Sequence, residues 1–309
     1  MISLMKILFI SSTYLGDAII TTGILEDLRK KYPNAQFTIA AGRVPLPLFK
    51  GMPQLERLIA IDKEPYSLHW LKLWKACVLT PWDIIVDVRG TGLSYALFAK
   101  KRFIWKKTND RTLRVHQLAK WMGLQNTPPS KIHLNDQHKK DAEQWSRGHS
   151  IICLSPTANW DKKSWPLPSF VALSQKVMDL YPEAKIAILG ASSQRQDLDL
   201  LFDSLPQDKL LDWVGKVDLP TLAAILERSL LFVGNDSGLM HLAAAMGTPT
   251  LGLFGPSDDA LYGPWGPNAH LIRTPLSFED AFDQAKQGTN PMETLSVEAV
   301  IEKIQAMVL

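Results

Sequence analysis

The sequence predicts an α/β protein made of two doubly wound parallel-sheet halves in tandem. Three observations predict it. Short apolar runs rich in Ile, Val and Phe alternate with helical patterns, the alternation breaks once over 123–150, and the 309 residues are about two typical domains long. Apolar residues make up 46% and charged residues 21%, the balance of an ordinary soluble globular protein.

In the first half the strands are KILFIS (6–11), QFTIAA (36–41), RLIAI (57–61), DIIVDV (83–88) and RFIW (102–105). Helices are expected near 17–32, 67–79, 92–100 and 111–123. The stretch GLQNTPPSKIHLNDQHKKDAEQWSRGHS (123–150) then interrupts the pattern with a Pro pair and a polar bias, although DQHKKDAEQW has the make-up of a short helix. It marks a boundary between domains expected at 1–148 and 149–309.

The alternation restarts with strands at SIICLS (150–155), AKIAILG (184–190), LDWVG (211–215), SLLFVG (229–234), TPTLGLFG (248–255) and AHLIRT (269–274). Helices are expected from about 168, 195 and 219, after Ser237, and over the closing LSVEAVIEKIQAMVL. Right-handed crossovers should turn the C-terminal strand ends of both halves toward a shared cleft, where ligands of such sheets bind.

Charge is unevenly divided. Residues 1–150 hold 23 Lys and Arg against 12 Asp and Glu, net +11, and residues 151–309 hold 11 against 19, net −8. The first half therefore suits an anionic partner. Cys77 and Cys153 lie far apart in apolar surroundings without metal-ligand spacing, and read as reduced core residues of a cytoplasmic protein. The N-terminal run suits a first buried strand better than a signal peptide, and no apolar segment approaches the roughly 20 residues that span a bilayer. A cytoplasmic protein follows, at most bound to a membrane surface.

Four stretches carry candidate chemistry. In LFVGNDSGLMHLAAAM (231–246) a strand gives way to Asn235, Asp236, Ser237 and Gly238 at the start of a helix. The open amides and partial positive charge of a helix N-terminus form an anion site, Gly238 would let a phosphate approach the backbone, and His241 follows about one turn on. On spacing alone, Asp236 or Ser237 capping this helix is an equal reading. In SSTYLGD (11–17), Gly16 allows a tight turn and Asp17 stands where the next helix begins. The cap reading comes first there, and a carboxylate accepting a proton from an attacking hydroxyl second. In TANWDKKSWP (157–166), Lys162 or Lys163 could neutralise a phosphate as a point charge, or be merely solvated.

RGTGLSYA (89–96) begins like a dinucleotide fingerprint, but Tyr95 stands in place of the third Gly and only Asp110 could serve as the distal acid. Residues 100–120 hold eight Lys and Arg and one acid, interleaved with Phe103 and Trp105. This segment is either a solvated basic face or a surface for an anionic membrane or polyanionic acceptor, and no nucleic-acid recognition motif accompanies it.

Taken together these stretches resemble glycosyltransferase family 9, the heptosyltransferases of lipopolysaccharide core assembly. The resemblance rests on the Gly16-Asp17 turn, on Lys163-Ser164-Trp165-Pro166, and on Asp236-Ser237-Gly238-Leu239-Met240-His241 followed by TPTLGLFGPSD and Tyr262-Gly263-Pro264. It implies a GT-B architecture, with an N-terminal acceptor domain, a C-terminal nucleotide-sugar domain and a last helix folding back toward the N-terminal domain. It also implies an inverting transfer from ADP-heptose to an anionic glycolipid of the lipid A–Kdo type, with no metal and no cofactor, the ADP-sugar being a substrate.

The resemblance makes Asp17 the general base and Lys163 the contact to the departing diphosphate. Donor contacts would come from Asn159, Gln194, Val217, Asp236, Ser237, Gly238 and His241, and acceptor contacts from Thr13, Tyr14, Arg89, Lys106 and Arg111. Tyr14, Asn159 and Gln194-Arg195 depart from the residues the family more often has. A monomer bound peripherally to the inner membrane surface is expected, with no nucleic-acid partner. A sugar-nucleotide epimerase or hydrolase and a nonenzymatic nucleotide-binding protein are the competing readings.

Overall fold

The computed structural model describes residues 4–62 and 64–308. The chain divides into two units, Met1–Asn135 and Asp136–Leu309.

In the first unit five strands form one all-parallel sheet in the order β3-β2-β1-β4-β5. They are β1 (Lys6–Ile10), β2 (Gln36–Gly42), β3 (Leu55–Ile61), β4 (Trp82–Asp87) and β5 (Ala99–Ile104). The central strand reads as unbroken apolar sequence because both of its faces are covered: Ile7, Leu8, Phe9 and Ile10 are all 0% exposed. The edge strands β3 and β5 are more exposed and carry charge, Glu56 and Arg57 on one and Lys100, Lys101 and Arg102 on the other. Helices α1 (Leu15–Lys31), α2 (Leu68–Cys77) and α3 (Arg114–Trp121) cover the sheet. The helix expected over 92–100 is only a 3-10 turn, Gly92–Ala96, and β5 begins at Ala99 instead of 102.

The second unit opens with α4 (Asp136–Ser146) and has a six-stranded parallel sheet in the order β11-β10-β9-β6-β7-β8. Its strands are β6 (Ile151–Ser155), β7 (Lys185–Ile188), β8 (Leu210–Asp212), β9 (Leu231–Asn235), β10 (Thr250–Phe254) and β11 (Ala269–Arg273). Between and after them lie α5 (Leu167–Leu180), α6 (Asp199–Ser204), α7 (Leu219–Leu226), α8 (Gly238–Met246), α9 (Asp259–Tyr262), α10 (Phe278–Lys286) and α11 (Val297–Val308). The buried core joins Ile152, Leu154, Val233 and Leu253 of the sheet to Phe170, Leu173 and Val177 of α5 and to Val300 and Ile304 of α11. The last helix thus packs on α5 and β11 of its own unit.

The division after Asn135 comes earlier than the boundary expected at 148. The Pro pair is not linker: a side chain at Gly23 of α1 would meet the Pro128 carbonyl oxygen at 2.8 Å, and Lys131 N donates to Thr22 Oγ1 at 3.0 Å. The short helix α4 instead packs against α7, with Arg228 paired to Glu143 at 2.7 Å. The charge asymmetry survives the shift, since residues 1–135 hold 20 Lys and Arg against 9 Asp and Glu. Cys77 and Cys153 are free and buried, and burial pushes their thiols up to about 11 and about 12.

Candidate active site

Each sheet has one place where successive crossovers leave in opposite directions. In the second unit it lies between the paired neighbours β6 and β9, and in the first between β1 and β4. Loops leaving the C-terminal ends of such a strand pair splay apart and form the usual ligand crevice of an open α/β sheet. Ten of the fourteen sequence candidates follow these four strands, while Gln194, Val217, Lys106 and Arg111 follow β7, β8 and β5.

In the second unit, residues 156–166 follow β6, and Asp236 and Ser237 follow β9. Lys163 Nζ lies 2.7 Å from Asp236 Oδ2, the two side chains being 23% and 9% exposed. Its neighbour Lys162 turns away and donates to the Gly288 carbonyl, so the structure separates the two lysines the sequence left equivalent. The loop is fixed by Asn235, whose Nδ2 donates to the Pro156 carbonyl at 2.7 Å while its Oδ1 accepts from Trp165 N at 3.0 Å. Trp165 is 1% exposed and donates from Nε1 to the Leu295 carbonyl at 2.9 Å.

Helix α8 starts at Gly238, with Ser237 as its extended N-cap residue. The capping reading fails for both candidates. No side chain caps α8, Asp236 is engaged by Lys163, and Ser237 Oγ is buried without a hydrogen-bond partner among the described residues. A buried hydroxyl left unpaired costs on the order of 1–3 kcal/mol, and this one stands at the helix-start amides of α8. His241 follows one turn into α8 and is 6% exposed.

Gln194 has its amide engaged within the fold. Its Oε1 accepts from Thr157 Oγ1 at 2.9 Å and Ala191 N at 3.0 Å, and its Nε2 donates to the Ala158 carbonyl at 3.2 Å. It braces the loop carrying the exposed Asn159. Val217 is half-buried just ahead of Asp218, the N-cap of α7.

In the first unit the helix begins earlier than expected. Tyr14, extended at φ −91° and ψ 142°, is the N-cap of α1, so Gly16 is helical and Asp17 sits in the first turn instead of at the cap. The turn before it rests on Gly42, where a Cβ would lie 2.6 Å from both the Cα and the carbonyl oxygen of Thr13. Tyr14 is 59% exposed.

Across the β1/β4 junction, Asp87 is 0% exposed and accepts from the amides of Arg89 (3.0 Å) and Thr91 (2.9 Å) and from the hydroxyls of Thr91 and Ser94 (both 2.6 Å). It therefore shapes the loop that carries Arg89. The Arg89 guanidinium lies 4.9 Å from the centre of the Trp70 ring, and its Nη1 is buried without a partner among the described residues. Burial pulls its pKa down, while the charges of Asp87 and Asp17 pull it up. Asp17 and Arg89 thus share one electrostatic environment. Lys106 and Arg111 are exposed on the segment after β5, whose Trp105 N donates to the Asp87 carbonyl at 2.8 Å. Phe103 and Trp105 pack edge-on against Trp121, at 6.5 and 5.4 Å between ring centres, so these aromatics serve the unit's own packing.

Sequence reasoning missed Asp87 and named Asn235 only as part of the turn; each closes its strand, β4 or β9, and its hold on the neighbouring loops shows only once the loop partners are seen. It also missed Ser257 after β10, whose buried Oγ likewise lacks a partner among the described residues, and Arg273, which donates to the carbonyls of Gly255 and Ser257 and to Asp259.

The model of glycosyltransferase family 9 (heptosyltransferase) matches residues 88–290. The chain belongs to this family. The matched span includes Arg89, Lys163 and the Asp236–His241 run, and leaves Asp17 outside. This glycosyltransferase is 26% identical over 325 residues to lipooligosaccharide heptosyltransferase 2 of Campylobacter jejuni, covering 98% of this chain and 99% of that one. Among solved structures it resembles the family 9 glycosyl transferase from Veillonella parvula, with a TM-score of 0.81 at 19% identity over 98% and 97% of the two chains. It also resembles the ADP-heptose lps heptosyltransferase II of E. coli, with a TM-score of 0.77 at 18% identity over 98% of each chain. The two parallel-sheet units of this family 9 enzyme accordingly make up a GT-B fold.

Proposed function

We propose that this family 9 glycosyltransferase moves a heptose from ADP-heptose to a sugar hydroxyl of an anionic lipopolysaccharide-core acceptor of the lipid A–Kdo type, with inversion at the anomeric carbon. The observation that carries the reading is the uncapped start of α8. There a Ser237 Oγ without a partner among the described residues and the helix amides stand beside Lys163, a set of donors and positive charge matched to a diphosphate. The names of the relatives support the sugar, lipooligosaccharide and lipopolysaccharide heptosyltransferases among them. A solved heptosyltransferase with the same fold, WaaC of E. coli at a TM-score of 0.73, is described with ADP.

In the reaction the acceptor oxygen forms a bond to the anomeric carbon while the bond from that carbon to the diphosphate oxygen breaks. ADP departs with the electron pair, and the acceptor proton passes to Asp17. Lys163 and the α8 amides, with Ser237, Gly238 and His241, stabilise the charge gathering on ADP. Asp236, which holds Lys163 before the donor arrives, then offers its carboxylate to the sugar hydroxyls. Asn159 and Val217 line the donor's approach, and Gln194 acts by holding the 157–158 loop. Arg89, with Thr13, Tyr14, Lys106 and Arg111, receives the anionic acceptor. This places the enzyme where the acceptor is made, on the inner face of the cytoplasmic membrane.

The test is product analysis with ADP-heptose in the presence and absence of a deacylated lipid A–Kdo acceptor. Wild type should join heptose to the acceptor and release little free sugar without it. Asp17→Asn should retain ADP binding and lose transfer by about 10²- to 10⁴-fold. Free heptose from donor alone at the full rate would instead mark a hydrolase, and wild-type turnover by Asp17→Asn would remove the base assignment.

A further inference from the structure

Half of the large apolar side chains left exposed in this molecule fall in one short part of the first unit. Six of the twelve exposed among the described residues lie between 66 and 98: Tyr66 (96%), Leu68 (46%), Leu71 (48%), Leu79 (93%), Tyr95 (68%) and Phe98 (75%). Helix α2 buries Leu73 and Cys77 against the sheet core, and turns Leu68, Leu71, Lys72 and Lys75 outward at i, i+3, i+4 and i+7. At the margin between the two faces, Trp70 and Trp74 are half-buried, and Trp74 Nε1 donates to the Ala96 carbonyl at 3.0 Å, locking the Gly92–Ala96 turn to the helix. The groove between them is lined by Trp70, Leu71, Trp74, Thr91, Gly92 and Leu93.

We infer that this face, α2 with the 92–98 turn, is a docking surface for an anionic lipid bilayer. Three features choose the bilayer over a protein partner. Leu68 and Leu71 are followed by Lys72 and Lys75 on one helical face while Trp70 and Trp74 stand at its margin, a mix of apolar, cationic and aromatic groups suited to a membrane interface. Residues 64–107 carry eight Lys and Arg against three Asp and Glu, within a unit of net +11, so the rim is complementary to acidic headgroups. The exposed apolar groups also extend beyond that groove, over both the helix and the adjoining turn.

No helix of the described residues is long and apolar enough to cross a membrane, so the attachment is to the surface. The 4.9 Å contact between the Arg89 guanidinium and Trp70 then sets the acceptor site one aromatic ring from the bilayer, a consequence that rests on the proposed acceptor role of Arg89. The docking itself does not rest on that role.

Vesicle flotation of the full chain tests the inference, using phosphatidylcholine vesicles with and without phosphatidylglycerol. Wild type should float with the acidic vesicles, stay behind with neutral ones, and be released by salt. The double variant Leu68→Gln/Leu71→Gln should bind the acidic vesicles about tenfold more weakly or worse, while keeping its melting temperature and its turnover of a deacylated acceptor. Leu180→Gln, at an exposed leucine of the second unit, should bind like wild type. Absence of wild-type binding to the acidic vesicles, or equal binding by the double variant, overturns the inference. So does a vesicle-free dimer that the double variant dissociates, since the face would then be covered by a second copy. Flotation needs no donor, so its failure leaves the transferase reading standing, and failure of transfer leaves flotation unchanged.

Discussion

Lys163 Nζ and Asp236 Oδ2, from loops 73 residues apart in sequence, meet at 2.7 Å beyond the β6/β9 pair, where the winding order of the second unit's parallel sheet reverses. An ion pair with a carboxylate only 9% exposed gives little net stability, because desolvating both charges offsets most of their attraction. Its value is as a charge store beside the uncapped start of α8. Lys163→Met should therefore lower kcat/KM by about 10²- to 10³-fold. Leaving Asp236 buried without its cation should also cost on the order of 1–3 kcal/mol. The double variant Lys163→Met/Asp236→Asn should regain stability in denaturant titration but not turnover.

Ser237→Ala separates folding from function. The serine hydroxyl has no partner among the described residues, so its removal should leave the melting temperature unchanged or raise it slightly. The same change should lower kcat/KM by about tenfold through one lost hydrogen bond to the diphosphate. A variant with lower stability and unchanged kinetics would show that the hydroxyl serves the fold.

Much of this arrangement was legible in the sequence, for reasons that differ by element. Strands buried on both faces, such as Lys6–Ile10 and Leu231–Asn235, announce themselves as apolar runs, and the loops after them follow. Asp17 was misplaced relative to its helix because an extended Tyr14 starts α1 two residues before the expected glycine turn has ended. The helix Phe278–Lys286 escaped notice because two alanines, Ala281 and Ala285, form most of its buried face. Nothing local could show that Asn235 would hold Pro156 and Trp165, or that Asp87 would collect four donors. Those roles exist only once distant loops are brought together.

Acid stability should report one carboxylate in the first unit. Arg29 grips both oxygens of Glu26 at 2.7 Å and His133 Nε2 approaches at 2.8 Å, and these partners hold its carboxyl down at about 2 against a partial desolvation cost. The folded value lies below the unfolded one of 4.5, so the stabilisation is complete above about 4.5 and fades as pH falls toward about 2. Curves of unfolding free energy against pH for wild type and Glu26→Gln should differ by on the order of 1–3 kcal/mol above that window and converge below it.

Gly42 supports the turn ahead of Asp17 by close approach. Both atoms that a Cβ would meet at 2.6 Å, the Cα and carbonyl oxygen of Thr13, are backbone and cannot swing aside. Gly42→Ala should cost about 1–3 kcal/mol in chemical denaturation and reduce transfer more than ADP binding, because the displaced turn leads into α1.

The account's central claim is that the donor's diphosphate is held by Lys163 and the amides that open α8. Calorimetric titration of ADP into wild type and Lys163→Met tests it most directly. The account predicts measurable ADP binding by wild type and an affinity at least about tenfold lower for the variant, the effect of one lost charge-assisted contact. Equal affinity in the two proteins would contradict it.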